Sequence, residues 1–222
     1  MKIISVTALA IPDIKVLRFA RFSDQRGYFT EHFRKSDFQQ HAELGSLRQV
    51  SFVQANESYS HRGVVRGLHF QWNPFMGKLV RTVAGRMVDM VLDIRRGSPY
   101  YGKIIAYDMP SKVSDATNEW IWVPPGFAHG NFFSEPTQIE YYCSGEYSAG
   151  CEAGISPLSG DLDWSLCEPS LRAACAELAA GGGVLSDKDR NGLSLQAWGN
   201  DPRGANFIYG QCSGAAAGED RK

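Results

Sequence analysis

The sequence predicts an all-β fold, a barrel or sandwich of short strands, and three observations point to it. Runs rich in Val, Ile, Tyr, Phe and Trp recur through residues 1–165: Lys2–Ala8, Gly27–Phe33, Val50–Ser58, Lys78–Ala84, Arg86–Ile94, Lys103–Asp108, Glu119–Val123, Ala128–Phe133 and Gln138–Ser144. Gly, Pro, Asn and Asp punctuate them at short intervals, which is the pattern of β-structure rather than of alternating strands and helices. Helical signal is thin over the same stretch, with Lys35–Gln40 as a short candidate after Phe33.

The element order follows from these runs. The opening MKIISVTALAIPDIKVL is loosely apolar, but Asp13 comes early and no good cleavage site follows, so it reads as a first strand rather than a signal peptide. Residues 1–168 form the β-domain. Residues 169–212 decorate that domain, beginning with SLRAACAELAA (170–180), whose helix propensity is high and whose end is set by Gly181–Gly183. Residues 213–222 are small and charged and are expected to be disordered. In RMVDMVLDIR, Met87, Asp89, Val91 and Asp93 share one face, while Val88, Met90 and Leu92 share the other. Two carboxylates inside a barrel are costly unless paired, so Asp89 and Asp93 either find partners or cap turns and face water.

Composition excludes several classes. The 222 residues carry a net charge of -1, so nothing global points to nucleic acid or an anionic membrane, and any anion site must be a local cluster of Lys and Arg. No apolar run approaches the roughly 18 residues of a membrane span. The five cysteines, Cys143, Cys151, Cys167, Cys175 and Cys212, show no C-x-x-C spacing, so a zinc site is not expected and a reduced, cytoplasmic chain fits.

Two segments concentrate the chemistry. In GVVRGLHFQWNPFMGKLVRTVAGRMVDMVLDIR (63–95), Gly63 and His69 fit G-x5-H-x-H, with Gln71 where the second histidine would stand. In WVPPGFAHGN (122–131), Pro124, Gly126 and His129 fit P-x-G-x-x-H. The pair resembles the two cupin motifs, which implies a jelly-roll β-barrel. Metal-binding cupins need several imidazoles and a carboxylate. This chain has only His32, His41, His61, His69 and His129, and Gln71 removes a ligand. A metal-free, cofactor-free site is therefore expected, and a metal-dependent dioxygenase is disfavoured.

FSDQRGYFTEHF (22–33), GVVRGLHFQ (63–71), KLVRTVAGRMVDMVLDIRRGSPYYG (78–102), WVPPGFAHG (122–130) and LSDKDRN (185–191) together resemble successive signatures of the dTDP-4-dehydrorhamnose 3,5-epimerase family. The resemblance implies epimerisation next to the ketone of a nucleotide-linked 4-keto-6-deoxy sugar. Such a reaction needs a base, a cation for the developing enolate and an acid on the opposite face. By the family pattern these are His69, Lys78 and Tyr141. Taken singly, Tyr141 reads as a core aromatic and Arg26 as a turn arginine; the set in family order gives them roles. Arg26 and Arg66 match phosphate-contacting arginines. Glu31, Gln54, Asn56 and Gln71 match pocket positions, Tyr147 an aromatic near the base, and His129 a second site histidine that Asp89 could orient.

The family also pairs its catalytic histidine with an aspartate in a segment after the barrel. Here that segment is GISPLSGDLDW (154–164), with Ser159 at the aspartate position and Asp161 the nearest carboxylate. Either could serve His69, Ser159 without adding charge. Epimerisation at one carbon, or of another sugar, also fits the departure, as does a non-catalytic cupin that binds the sugar nucleotide. The family resemblance implies a homodimer.

Overall fold

The computed structural model describes residues 2–212, so the expectation of a disordered tail lies outside the described residues. Twelve strands appear in the order β1 (Ile3–Ala8), β2 (Lys15–Ala20), β3 (Phe22–Asp24), β4 (Gly27–Phe29), β5 (Gln54–Ser60), β6 (Val65–Gln71), β7 (Lys78–Asp93), β8 (Ile104–Ser111), β9 (Thr117–Val123), β10 (Phe127–Phe133), β11 (Thr137–Cys143) and β12 (Glu152–Gly154). The helices are α1 (Lys35–Gln40), α2 (Pro169–Glu177), α3 (Asp187–Arg190) and α4 (Leu195–Asn200), with a 3-10 stretch over Ala42–Gln49. Among the described residues no helix is long and apolar enough to cross a membrane.

Among the described residues, all pairing between these strands is antiparallel. One sheet runs β1-β2-β9-β7-β11-β5 and the other β8-β7-β10-β6-β12. The result is a cupin-type jelly roll in which β7 belongs to both sheets. The two runs expected at 78–84 and 86–94 are one sixteen-residue strand. Gly85 between them has φ +95°, and a Cβ there would lie 2.5 Å from the Pro136 carbonyl oxygen. Only glycine lets the strand cross from one sheet to the other without strain. The expected run at 27–33 shortens to β4, while β2 and β6 are strands that composition alone did not single out.

Three apolar clusters follow from the two faces of each sheet. Ile14, Val16, Val80, Met87, Val91, Ile121, Val123, Phe127 and Phe133 fill the space between the sheets. Leu17, Phe19, Leu79, Trp120 and Trp122 form the outer face of the first sheet, covered by Phe38, Leu44 and Leu47 of α1 and the 3-10 stretch. Val88, Met90, Leu92, Ala106 and Phe132 form the outer face of the second sheet, covered by Leu162 and by Leu195, Trp198 and Phe207 of the C-terminal extension. Phe70, Trp198 and Phe207 meet edge to face with ring centroids 4.6–5.8 Å apart. Thus both faces of β7 are buried from Met87 to Asp93, the apolar one beneath the extension and the mixed one between the sheets.

The two acids of β7 resolve differently. Asp93 is fully buried and also caps the turn that follows. It accepts from the Arg95 backbone N–H at 2.9 Å, from Arg95 Nη2 at 2.6 Å and from Ser98 Oγ at 2.7 Å. Asp89 points between the sheets. The Arg95 guanidinium also lies 4.2 Å from the Phe127 ring centroid and 3.2 Å from Asp13, so one buried ion pair joins the N-terminal loop to β7 and β10. Removing one member of such a pair strands a buried charge, which costs about 3–5 kcal/mol. Asp93→Ala is therefore expected to lower unfolding stability by about that amount in urea melts monitored by circular dichroism. A loss below about 1 kcal/mol would mean that Arg95 finds other partners or reaches water.

Candidate active site

The site is built from strands that present polar side chains to the space between the sheets. In β5, Gln54, Asn56, Ser58 and Ser60 form the inward row, while Ala55, Glu57 and Tyr59 face out. A polar inward row cannot pack a core; it lines a cleft. In β11 the inward residues are Ile139, Tyr141 and Cys143, and in β10 they are Phe127, His129, Asn131 and Phe133. Tyr141 stands directly opposite Asn56, and Lys78 opposite Cys143, in neighbouring registers.

Two cavities open here, of about 530 and 340 Å³. Both are lined by His69, Lys78, His129 and Tyr141, so they are two lobes of one cleft with these four residues at the junction. The larger lobe adds Ser58, Arg66, Asn131, Lys188 and Asp189. The smaller adds Gln54, Asn56, Gln71, Tyr147 and Glu152.

His69 and His129 are Cα partners on β6 and β10. The backbones approach closely beside them, because a Cβ on Gly67 would lie 2.5 Å from Gly130 Cα. Each histidine holds a carboxylate. His69 Nε2 lies 2.6 Å from Asp189 Oδ1. His129 Nε2 lies 2.7 Å from Asp89 Oδ2, which also accepts from Asn131 Nδ2 at 2.9 Å. Asp89 therefore occupies the orienting position at His129, and its barrel-facing placement is partnered.

Asp189 corrects the expectation for the segment 154–164. Ser159 does not reach His69; its hydroxyl donates to Asp161. Asp161 accepts the backbone N–H groups of Leu195 at 3.2 Å and Gln196 at 2.7 Å, fixing the first turn of α4. The carboxylate at His69 comes instead from the extension, 120 residues further along the chain. Val184 donates to the Gly63 carbonyl at 2.8 Å, and Val65 donates to the Val184 carbonyl at 3.0 Å, so the strap after α2 is zipped to the start of β6. Ser186 then caps α3, its hydroxyl accepting from the Asp189 N–H at 3.1 Å, which turns the Asp189 side chain into the cleft. LSDKDRN carried a family resemblance without an assigned role. Its serine three residues before an acid was the local signal of a cap.

The electrostatics sort the titrating groups. Burial is the largest influence on the Asp189 carboxyl and would raise it, but the bond and charge of His69, Ser186 and the Gly67 N–H together outweigh it and hold it below the usual range. Burial lowers Lys78, only partly opposed by Cys143, Asp89 and Glu152. Burial raises Tyr141, opposed by Asn56 and Arg66. The Lys78 ammonium lies 6.0 Å from the Tyr141 ring centroid.

The remaining expected positions divide. Arg66 lines the larger lobe, with Nε donating to Ser60 Oγ at 2.9 Å. Gln54, Asn56, Gln71 and Tyr147 line the smaller. Arg26 and Glu31 do not line the cleft of their own chain: Arg26 pairs with Asp24 on the exposed β3–β4 hairpin, and Glu31 with Arg34. Beyond those expected, Glu152, Lys188, Asn131 and Asp189 face the cleft, and Glu152 accepts from Tyr147 Oη at 2.9 Å and from Lys188. Among the described residues no group of three or more His, Cys, Asp or Glu side chains is arranged to hold a metal ion.

Comparison with known proteins agrees with this geometry. The family model described as dTDP-4-dehydrorhamnose 3,5-epimerase matches residues 8–197. A dTDP-4-dehydrorhamnose 3,5-epimerase of Sinorhizobium fredii is 41% identical over 85% of this chain and 88% of its own length. That of Shigella flexneri is 36% identical over 85% and 94%. Among solved structures, a Legionella pneumophila enzyme in complex with dTDP-4-keto-L-rhamnose superposes with a TM-score of 0.71 at 31% identity, covering 86% of this chain and 93% of that one. NovW, a 4-keto-6-deoxy sugar epimerase of Streptomyces spheroides, gives 0.74 at 29% identity, covering 94% of each. With the family model matched over most of its length and two histidine–carboxylate pairs in one cleft, this chain belongs to the dTDP-4-dehydrorhamnose 3,5-epimerase family.

Proposed function

We propose that the protein is an isomerase that epimerises carbons next to the ketone of a dTDP-linked 4-keto-6-deoxy sugar, with His69 as base, Lys78 as the enolate's cation and Tyr141 as the acid on the opposite face. The observation that carries this reading is the bond between His69 Nε2 and Asp189 in the same cleft as Lys78 and Tyr141. An ionised Asp189 accepts, so Nε2 carries the proton and Nδ1 keeps its lone pair for the substrate. Nδ1 removes the proton α to the ketone. The electron pair moves onto the ketone oxygen, and the Lys78 ammonium stabilises the enolate. Tyr141 then gives its proton to the other face of the carbon. A buried phenol remains neutral at physiological pH and is therefore loaded for this step. His69 releases its proton to solvent, and Tyr141 takes one back.

Arg66 and Lys188 supply cationic donors for the diphosphate, and Tyr147 an aromatic face for the base. A non-catalytic binder would not need a carboxylate set against a histidine. A homodimer suits the exposed β3–β4 hairpin, where Phe22, Tyr28 and Phe29 remain open to solvent and Arg26 points away from its own chain's cleft. The five free thiols suit a reducing compartment such as the cytoplasm.

Solvent deuterium entering dTDP-4-keto-6-deoxyglucose, read by NMR, tests the reaction. Label at both C3 and C5 makes the protein a two-centre epimerase, and label at one carbon a single-centre enzyme. His69→Ala is expected to lower exchange by about 10²–10⁴-fold. Asp189→Asn should lower it by about 10–100-fold while Ser159→Ala stays within about 2-fold of wild type. Loss of exchange in Ser159→Ala, with Asp189→Asn unaffected, would refute the assignment of Asp189. Absence of label in the wild type, with dTDP still bound, would move the protein to the binding class.

The alkaline limb of kcat reports Lys78. Its folded value is lowered, so its charge is lost as pH rises through a point below the ordinary lysine value of about 10.4. Tyr141 is raised and ionises above the ordinary phenol value of about 10. The limb is therefore expected below the ordinary lysine value of about 10.4, and Lys78→Arg, which keeps its charge, should move it upward. A limb unmoved by Lys78→Arg would remove Lys78 from the role of titrating cation.

A further inference from the structure

Gln71 stands where a metal-binding cupin would carry its second histidine, and it was expected to touch substrate. The structure gives its amide other work. Gln71 is 5% exposed. Its Nε2 donates to the Pro74 carbonyl and to the Glu146 carbonyl, both at 2.9 Å, and its Oε1 accepts from the Ser148 N–H at 2.8 Å. Both amide N–H bonds are thereby used, and the oxygen is engaged. All three partners are backbone groups of two loops, 72–77 and 144–148.

The second loop carries Tyr147, which is 58% exposed and lines the smaller lobe of the cleft. Its neighbours on both sides, Glu146 and Ser148, are the residues that Gln71 grips. The backbone N–H of Tyr147 itself donates to Gln54 Oε1 at 2.9 Å, and Gln54 Nε2 donates onward to Asn56 Oδ1 at 3.1 Å. The loop is also packed against the other one. Gly145 has no room for a side chain, since a Cβ would lie 2.8 Å from the Phe75 carbonyl oxygen. Ser144 exchanges bonds with Gly77, its N–H to the Gly77 carbonyl at 2.9 Å and the Gly77 N–H to its hydroxyl at 2.7 Å. Phe75 in turn meets Phe207 of the extension edge to face at 5.6 Å.

We infer that Gln71 is a positioning residue for nucleotide binding: its amide clamps the backbone on either side of Tyr147 and so holds that ring as a preformed wall of the smaller lobe. The inference rests on the reading of the cleft as a nucleotide-sugar site. A pre-ordered wall improves affinity because its ordering cost is met on folding rather than on binding. The clamp does not touch the reacting carbons, so its loss falls on binding and spares chemistry. An interaction that acts only through Tyr147 must also vanish when Tyr147 is removed.

The test is a double-mutant cycle in the full chain, with Gln71→Ala, Tyr147→Ala and the double variant. Titration calorimetry with dTDP gives Kd, and deuterium exchange into dTDP-4-keto-6-deoxyglucose gives kcat and KM. Gln71→Ala is expected to raise Kd and KM by about 10-fold with kcat within about 2-fold of wild type, and to add nothing in the Tyr147→Ala background. A fall in kcat at constant KM, or effects of the two substitutions that multiply, would overturn the inference. Should Gln71→Ala fail to fold, Gln71→Glu serves. It keeps the acceptor for Ser148 but loses both donors, and the same rise in Kd is expected, an unchanged Kd being the contrary result. A wild type that exchanges no label would count against the proposed reaction alone, because the dTDP cycle still decides the clamp.

Discussion

A single strand shared by two sheets is the constraint on which the rest of the molecule depends. β7 pairs through Lys78–Ala84 with β11 and through Gly85–Asp93 with β8 and β10. Its sixteen residues deliver Lys78 to the cleft at one end, Asp89 to the second histidine in the middle, and Asp93 to the Arg95 pair at the other end. Because both faces are buried from Met87 to Asp93, each polar side chain in that stretch must be partnered; a buried polar group without a partner would cost stability. The crossing at Gly85 makes this possible. Without it the strand would run on in one sheet, and Lys78 and Asp89 would not face one cleft.

The His69–Asp189 pair joins parts of the chain that belong to different layers. His69 lies on β6 within the jelly roll, and Asp189 lies in the extension that covers the outer face of the second sheet. The extension therefore has two roles that share one set of contacts. Its apolar side chains bury Val88, Met90 and Leu92 from behind, and its strap carries a carboxylate around the edge of β6. The bond at 2.6 Å fixes the tautomer of a partly exposed imidazole, which would otherwise be free to choose either nitrogen. The aromatic contacts of Phe70, Trp198 and Phe207 fasten the extension to β6, the strand that carries His69.

The cleft is organised so that chemistry and recognition are held by separate networks. Charge-bearing groups meet at the junction of the two lobes, where desolvation lowers Lys78 and raises Tyr141. On the loop that carries Tyr147 the backbone contacts are made instead by the neutral amides of Gln71 and Gln54. Neutral amides hold loops without adding fields that would disturb the titrating groups. The Gln54–Asn56 bond is where the two networks touch, since Asn56 faces Tyr141 across the β5–β11 ladder.

Much of this was legible in the sequence. The runs of β-branched and aromatic residues were enough for a β-barrel or sandwich, and the family resemblance of the histidine motifs, KLVR and Tyr141 was enough to group the residues at the cleft's junction. The short helix at Lys35–Gln40 and the helix after Glu168 followed from local propensity. What the sequence could not decide was any contact that depends on where distant segments land. Ser159 and Asp161 were nearer in family register to the dyad position, yet their side chains serve α4, and Asp189 arrives by way of a strap whose path depends on packing against β6. Gln71 was visible as a lost metal ligand, but its role depends on two loops that meet only when the jelly roll closes. Composition and periodicity thus determined the fold class and the barrel-facing rows, which are local, while the groups proposed to react were marked by their resemblance to the family's motifs. The partner of the base, the clamp on Tyr147 and the pairing of Asp89 and Asp93 were decided by tertiary structure, because hydrogen bonds between segments up to 120 residues apart leave no local pattern in the chain.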